Sequence, residues 1–419
     1  MRVPFEKQQL ANGLQVIVHE DRRMPLVAVS VWYHVGSKNE RPGQTGFAHL
    51  FEHLMFEGSE HQPQSYFAPL QAAGASINGS TSSDRTDYWE VVPTEALRLA
   101  LWMEADRMGW LLPAVTPERF EAQRGVVLNE RAQNYENRPY GMVPFTISRT
   151  LYPKGHPYSW LPIGEIEDLN AATVGDVHAF FRRFYHPANA SIVIAGDVAP
   201  AATFAMAEEL FGEIPAGPRV DAVTAPPVEA REERVVLEDR VDLVRLYLTW
   251  PTPALFAPGD ADLDLVSDVL SSGRTSRLYR RLVHDRRLAT EVSAVQSSRE
   301  LCGQFQIVAT VAPGQNAADV RAAILDELAR VRDEGPDDAE MERSRARAEA
   351  AFVYRLQSIG GSGGKADQLN AYNVYRGLPD YFDEDLARYL AATKSSVKGA
   401  AATYLDPAKA VELTVVPRR

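Results

Sequence analysis

Gly46-Phe47-Ala48-His49-Leu50-Phe51-Glu52-His53-Leu54-Met55-Phe56-Glu57-Gly58 is the stretch from which the rest of the chain is best read. Phe47, Leu50, Phe51, Leu54, Met55 and Phe56 make it apolar nearly all round, the pattern of a buried helix. On a helix, residues four apart lie on one face, one turn above each other. His49 and His53 therefore reach one cation together. Glu52 falls at the edge of the same face, the place for a base acting on a water that the cation polarises. Two imidazoles and a carboxylate without partners would be costly to bury in such a helix. A bound cation removes that cost.

A hydrolytic zinc site takes three protein ligands and keeps a fourth position open. Arg124-Gly125-Val126-Val127-Leu128-Asn129-Glu130-Arg131 offers the third. Thr116-Pro117-Glu118 starts a helix there, with Thr as N-cap and Pro at the first helical position, and the helix reads to about residue 137. On spacing alone Glu130 is either a ligand or a surface residue paired with Arg131 or Arg124.

His49-Leu50-Phe51-Glu52-His53 resembles the motif of the pitrilysin-type metallopeptidases, the inverzincins, in which His-x-x-Glu-His reverses the thermolysin order. The 76 residues from Leu54 to Asn129 match the family's spacing to its ligand Glu, and Val127-Leu128-Asn129-Glu130 matches the flank. The resemblance covers essentially the whole chain. It implies His49, His53 and Glu130 as Zn2+ ligands and Glu52 as the general base of a zinc endopeptidase acting on unstructured peptides. A non-proteolytic assembly or core subunit of the same fold is the alternative.

The chain reads as two copies of one plan, about 220 residues apart. Strands at 14–18 and 27–33 are answered at 234–237 and 244–250. The helix at 46–57 is answered at 260–272, and the strand pair at 75–93 at 289–311. Helices at 94–108 and 117–137 are answered at 317–334 and 337–356, and the closing helix and strand, 177–185 and 190–196, at 397–404 and 411–416. Hairpins within each copy predict an α+β fold of two mainly antiparallel sheets packed with helices. The expected division is a zinc-binding half at 1–215, a Pro-rich linker at 216–232 and an inactive half at 233–419. The second copy has no His at 259–273.

In the resembled family the inert half supplies an Arg and a Tyr, seven residues apart, that grip the substrate backbone. Val283 and Thr290 align with those places here, and Arg281 or Arg287 is the substitute if the alignment slips. The resemblance implies a dimer, and the missing pair a heterodimer with an Arg/Tyr-bearing homologous subunit. Gln123 stands where many relatives carry a Glu that supports the site; its amide still hydrogen-bonds, without the charge. The strand with Ser76, Asn78 and Ser80 is, by the same resemblance, the edge on which the peptide substrate adds as a further strand. On its own it reads equally as an edge kept polar against aggregation.

Composition agrees with a globular enzyme. The chain has 419 residues, 45% hydrophobic and 24% charged, and its net charge of −12 argues against a nucleic-acid partner. No apolar run reaches the length of a membrane span. The N-terminus enters a strand without an apolar signal region, so a cytoplasmic protein is expected, or a periplasmic one if a signal peptide has been removed. Cys302, the single cysteine, reads as a small apolar residue. Gly360-Gly361-Ser362-Gly363-Gly364-Lys365 fails as a phosphate loop, because Ile359 and Ala366 stand at its obligatory positions; it reads as a flexible loop. The other seven histidines, His19, His34, His61, His156, His178, His186 and His284, lack ligand spacing.

Overall fold

A computed structural model describes residues 2–418. The first half carries strands β1 (Glu6–Gln9), β2 (Gln15–Glu20), β3 (Leu26–Tyr33), β4 (Ser76–Thr81), β5 (Thr86–Pro93) and β6 (Ala190–Gly196), in the sheet order β1-β2-β6-β3-β5-β4. The second half carries β7 (Glu233–Asp239), β8 (Arg245–Thr252), β9 (Ala289–Ser297), β10 (Gly303–Val311) and β11 (Val411–Pro417), in the order β7-β11-β8-β10-β9. Leaving β1 aside, the two orders are the same. Both sheets are antiparallel except for one parallel pair, β2 with β6 and β7 with β11. The expected duplication is thus present strand for strand.

The helices that matter for the site are α1 (Phe47–Leu54), α2 (Phe67–Ala72), α3 (Leu97–Trp110), α4 (Pro117–Arg131) and α5 (Val143–Leu151). Two compact units form, and they do not follow the boundaries at 215 and 233. One comprises the chain up to Arg131, Trp160–Val223 and Ala351–Glu384; the other comprises Ala132–Ser159, Thr224–Ala350 and the chain from Asp385. Each sheet draws a helix from the other half of the sequence. Helix α5 packs on β8 and β11, where Val143 and Ile147 join Tyr247, Leu413 and Val415. The helix Lys365–Arg376 packs on β3 and β6.

That second exchange accounts for the composition of β3. A strand covered on both faces reads as a continuous apolar run rather than an alternating one, and Leu26–Tyr33 is buried along nearly its whole length. Two of the polar groups there are met from the covering helix. Trp32 Nε1 donates to Asp367 at 2.9 Å and Asn370 Nδ2 donates to the Ser30 carbonyl at 2.9 Å.

The glycine run before that helix is packed, not the flexible loop expected. A Cβ on Gly360 would stand 2.5 Å from the Ala28 Cβ. The Gly363 N–H donates to Asp367 at 2.7 Å and Lys365 Nζ to Asp21 at 2.6 Å. A glycine is needed at 360 because there the loop lies directly on the sheet, against Ala28 and Val91. Among the described residues no helix is long and apolar enough to cross a membrane.

Candidate metal centre

Helix α1 begins at Gly46, whose φ of 90° places it in the left-handed region that glycine adopts at little cost. Gly46 has no side chain to cap the first turn, so Glu40 does so from outside. Its buried carboxyl accepts from the Gly46 N–H at 3.0 Å and the Ala48 N–H at 2.8 Å. Burial pushes this carboxyl up to about 8, and the helix N–H groups and Trp160 act in the opposite direction. The apolar face of α1 is clamped by aromatic rings. Phe51 stacks on Phe180 at 5.5 Å and on Tyr185 at 5.0 Å between centroids.

The opposite face carries His49 and His53. The His49 and His53 rings lie 4.8 Å apart, as the four-residue spacing requires. Helix α4 runs beside α1, anchored by the fully buried Val127, and brings up Glu130. Glu130 Oε2 is 3.6 Å from His49 Nε2 and 3.3 Å from His53 Nε2. These three residues form the one group of three or more metal-capable side chains found among the described residues.

The separations fit a shared cation. Ligand atoms about 2.0–2.1 Å from a tetrahedral zinc stand about 3.3–3.4 Å from one another. A direct charged N–H···O bond would draw the pair to about 2.7–2.9 Å. Burial, and then the neighbouring His53, push the His49 imidazole down to about 4, with Glu130 opposing. His49 is therefore neutral near neutral pH, the form that binds metal.

Glu52 is half-buried on the same helix. Burial raises its carboxyl above the ordinary value; the Thr81 side chain, His53 and Arg85 pull it down, and Glu130 pushes it up. Strand β4 lies at the sheet edge beside α1. Ser76 and Asn78 are exposed on it. Ser80 differs: its hydroxyl donates to Asp87 at 2.6 Å and accepts from Arg85 at 2.6 Å. Its side chain is committed to an internal ion pair. Gln123 is half-buried on α4, two turns before Glu130.

In the second half the helix Asp260–Ser271 also begins at a left-handed glycine, Gly259 with φ 91°. Counted from it as from Gly46, the places of His49, Glu52 and His53 fall to Asp262, Leu265 and Val266. Val283 packs against that half's core, and the Thr290 hydroxyl donates to the Thr310 carbonyl at 3.4 Å. Arg281 faces Asp326 at 3.4 Å and Glu327 at 3.8 Å. Cys302 packs beside Leu151, Tyr152 and Tyr158, as a small apolar residue would.

Glu40 was not legible in the sequence as the cap of α1, because no spacing rule ties it to a helix six residues later. The Arg131 guanidinium, beside Glu130, donates to the carbonyl of Gly164, a partner distant in sequence.

The model for insulinase-type peptidases of family M16 matches residues 15–156, and the model for the M16 inactive domain matches residues 171–348. The chain belongs to peptidase family M16. The match to the inactive type runs from the end of the first half through most of the second, which has no counterpart of His49 and His53. Among M16 relatives, the zinc protease PqqE of Helicobacter pylori is 29% identical over 385 residues, covering 90% of this chain and 85% of that protein. An uncharacterized zinc protease of Streptomyces coelicolor is 26% identical over 404 residues, covering 94% and 85%. The crystal structure of a protease from Helicobacter pylori superposes with a TM-score of 0.90 at 27% identity, over 99% of this chain and 100% of that one.

Proposed function

We propose that this M16 chain is a zinc-dependent endopeptidase that cleaves unstructured peptides, with His49, His53 and Glu130 as ligands and Glu52 as general base. The observation that carries the proposal is the convergence of Glu130 Oε2 on the two imidazole nitrogens at 3.3 and 3.6 Å, from a helix far away in sequence. Zinc bound there supplies a Lewis acid that polarises a carbonyl and brings a water toward deprotonation at neutral pH. The chain's own groups do the rest. Glu52 takes the proton of the attacking water at its carboxylate and returns it to the departing amine. Its raised value favours both halves of that task, because a base poised nearer the working pH also gives its proton back readily.

Peptide is held along β4 by main-chain hydrogen bonds at the sheet edge, with Ser76 and Asn78 exposed beside it. Ser80 contributes backbone only. With Val283 and Thr290 in place of the gripping pair, the working enzyme is a heterodimer whose other subunit brings an Arg and a Tyr. The rival reading, a non-proteolytic core subunit, draws on the inactive-type match over residues 171–348.

The test is cleavage of an unstructured peptide by the purified chain, alone and with an Arg/Tyr-bearing homologue. Cleavage that a chelator stops and stoichiometric zinc restores supports the peptidase. Zinc-independent cleavage, or none with either preparation, contradicts it. Full activity of the lone chain removes the heterodimer.

A further inference from the structure

We propose that Arg131 is a positioning residue: through Gly164 it ties the Glu130 end of α4 to the start of α1, and so sets the third ligand against the two imidazoles. The inference rests on the metal-centre reading above.

Helix α4 is the last element before the chain leaves its compact unit at Ala132. The next residues, Ala132–Glu136, are a π-helical turn, in which the regular bonding of α4 has already ended. Glu130 therefore sits where the bonding pattern changes from α-helical to π-helical. Histidines 49 and 53 sit on another helix. Three donor atoms that must agree to a few tenths of an ångström depend on the register between these two helix ends.

The loop at 160–165 supplies that register. The Arg131 guanidinium is buried, 5% exposed, and donates to the Gly164 carbonyl. It also stands 3.5 Å from Glu165. Gly164 in turn lies on Gly46, the residue that opens α1. A Cβ on Gly164 would be 2.5 Å from the Gly46 Cα, and one on Gly46 would be 3.1 Å from the Gly164 Cα. Both glycines have positive φ, 76° and 90°. Two backbones meet here with no side chain between them, so a displacement of the loop is a displacement of α1.

The contact is bolted on either side. Thr45 donates to Asp168 from its N–H at 3.0 Å and its hydroxyl at 2.7 Å, and the Glu165 N–H donates to the Thr45 hydroxyl at 2.9 Å. Farther along α4, Arg124 donates to the carbonyls of Asn170 at 3.2 Å and Ala172 at 3.3 Å. Arg131 is the member of this set next to a ligand. A planar guanidinium fixes direction as well as distance, which a lysine ammonium does not.

The experiment measures zinc affinity of the folded, metal-free chain by chelator competition, with its melting temperature recorded in parallel. Arg131→Met is expected to weaken zinc binding about 10–100-fold, the usual cost of removing a group that orients a ligand. Arg131→Lys should fall between it and the parent, and carries the test if the Met variant does not fold. In a Glu130→Ala background Arg131→Met should have no further effect on affinity, because its action runs through Glu130. A lowered melting temperature with unchanged zinc affinity overturns the proposal and leaves Arg131 a stabilising residue only. So does an undiminished effect in the Glu130→Ala background. If Glu130→Ala itself binds zinc as the parent does, the metal-centre reading fails, an outcome distinct from failure of the clamp alone.

Discussion

Glu52→Gln separates proton transfer from everything else the site does. The amide has the shape of the carboxyl, so α1 and the Thr81 and Arg85 neighbourhood around it stay as they are. What is lost is the ability to take and return a proton, a contribution of about 10²–10⁴ in rate, equivalent to about 2.7–5.5 kcal/mol of barrier. Zinc stoichiometry should be unchanged, since the three ligand atoms belong to other residues. Stability supplies an independent sign. Burial raises Glu52 in the folded chain above its ordinary value of 4.5. The group's contribution to stability is therefore fully present below that value and is lost as pH rises through the folded value. Removing the ionisable group removes the loss, so the metal-free variant should melt no lower than the parent at pH 8. Steady-state cleavage of an unstructured peptide, zinc content and melting at pH 4 and pH 8 form the assay. Cleavage within tenfold of the parent at full zinc occupancy would refute the general-base assignment.

Two further outcomes follow from buried groups away from the reaction. Asp264 is pushed up from 3.8 to about 7 by burial, with the Tyr389 hydroxyl donating to it at 2.7 Å, so the parent should lose stability between about pH 4 and pH 7; Asp264→Asn should flatten that part of the melting-versus-pH curve, and an unaltered curve contradicts the account. Phe51→Ala removes a fully buried ring stacked on Phe180 and Tyr185 and should cost about 3–5 kcal/mol in chemical denaturation; a loss under about 1 kcal/mol would mean that α1 is not seated by this ring.

The sequence disclosed what local spacing encodes. His49 and His53 share a face because a helix has 3.6 residues per turn, and their rings do lie 4.8 Å apart. The duplication was visible because the same strands and helices recur in one order, and the two sheets repeat it strand for strand. Glu130 was different: spacing left it open, and only resemblance singled it out. Destinations of helices were not readable. Val143-Pro144-Phe145-Thr146-Ile147 is rich in β-branched residues and carries a proline, yet it forms α5, since a first-turn proline costs a helix nothing. Nothing in its own periodicity says that it crosses to β8 and β11. The same holds for the helix Lys365–Arg376, whose covering of β3 explains both the apolar run of that strand and the close packing of Gly360 on Ala28. Ser80 looked available until Arg85 and Asp87 were seen to occupy its hydroxyl. Glu40 and Arg131 reach backbone groups across loops, contacts that leave no pattern in the chain.

A zinc titration of the metal-free chain, followed by calorimetry, addresses the central claim most directly. One ion per chain is predicted, with binding abolished or weakened by orders of magnitude in each of His49→Ala, His53→Ala and Glu130→Ala while circular dichroism stays that of the parent. No stoichiometric zinc, or full affinity in the Glu130→Ala chain, would contradict it.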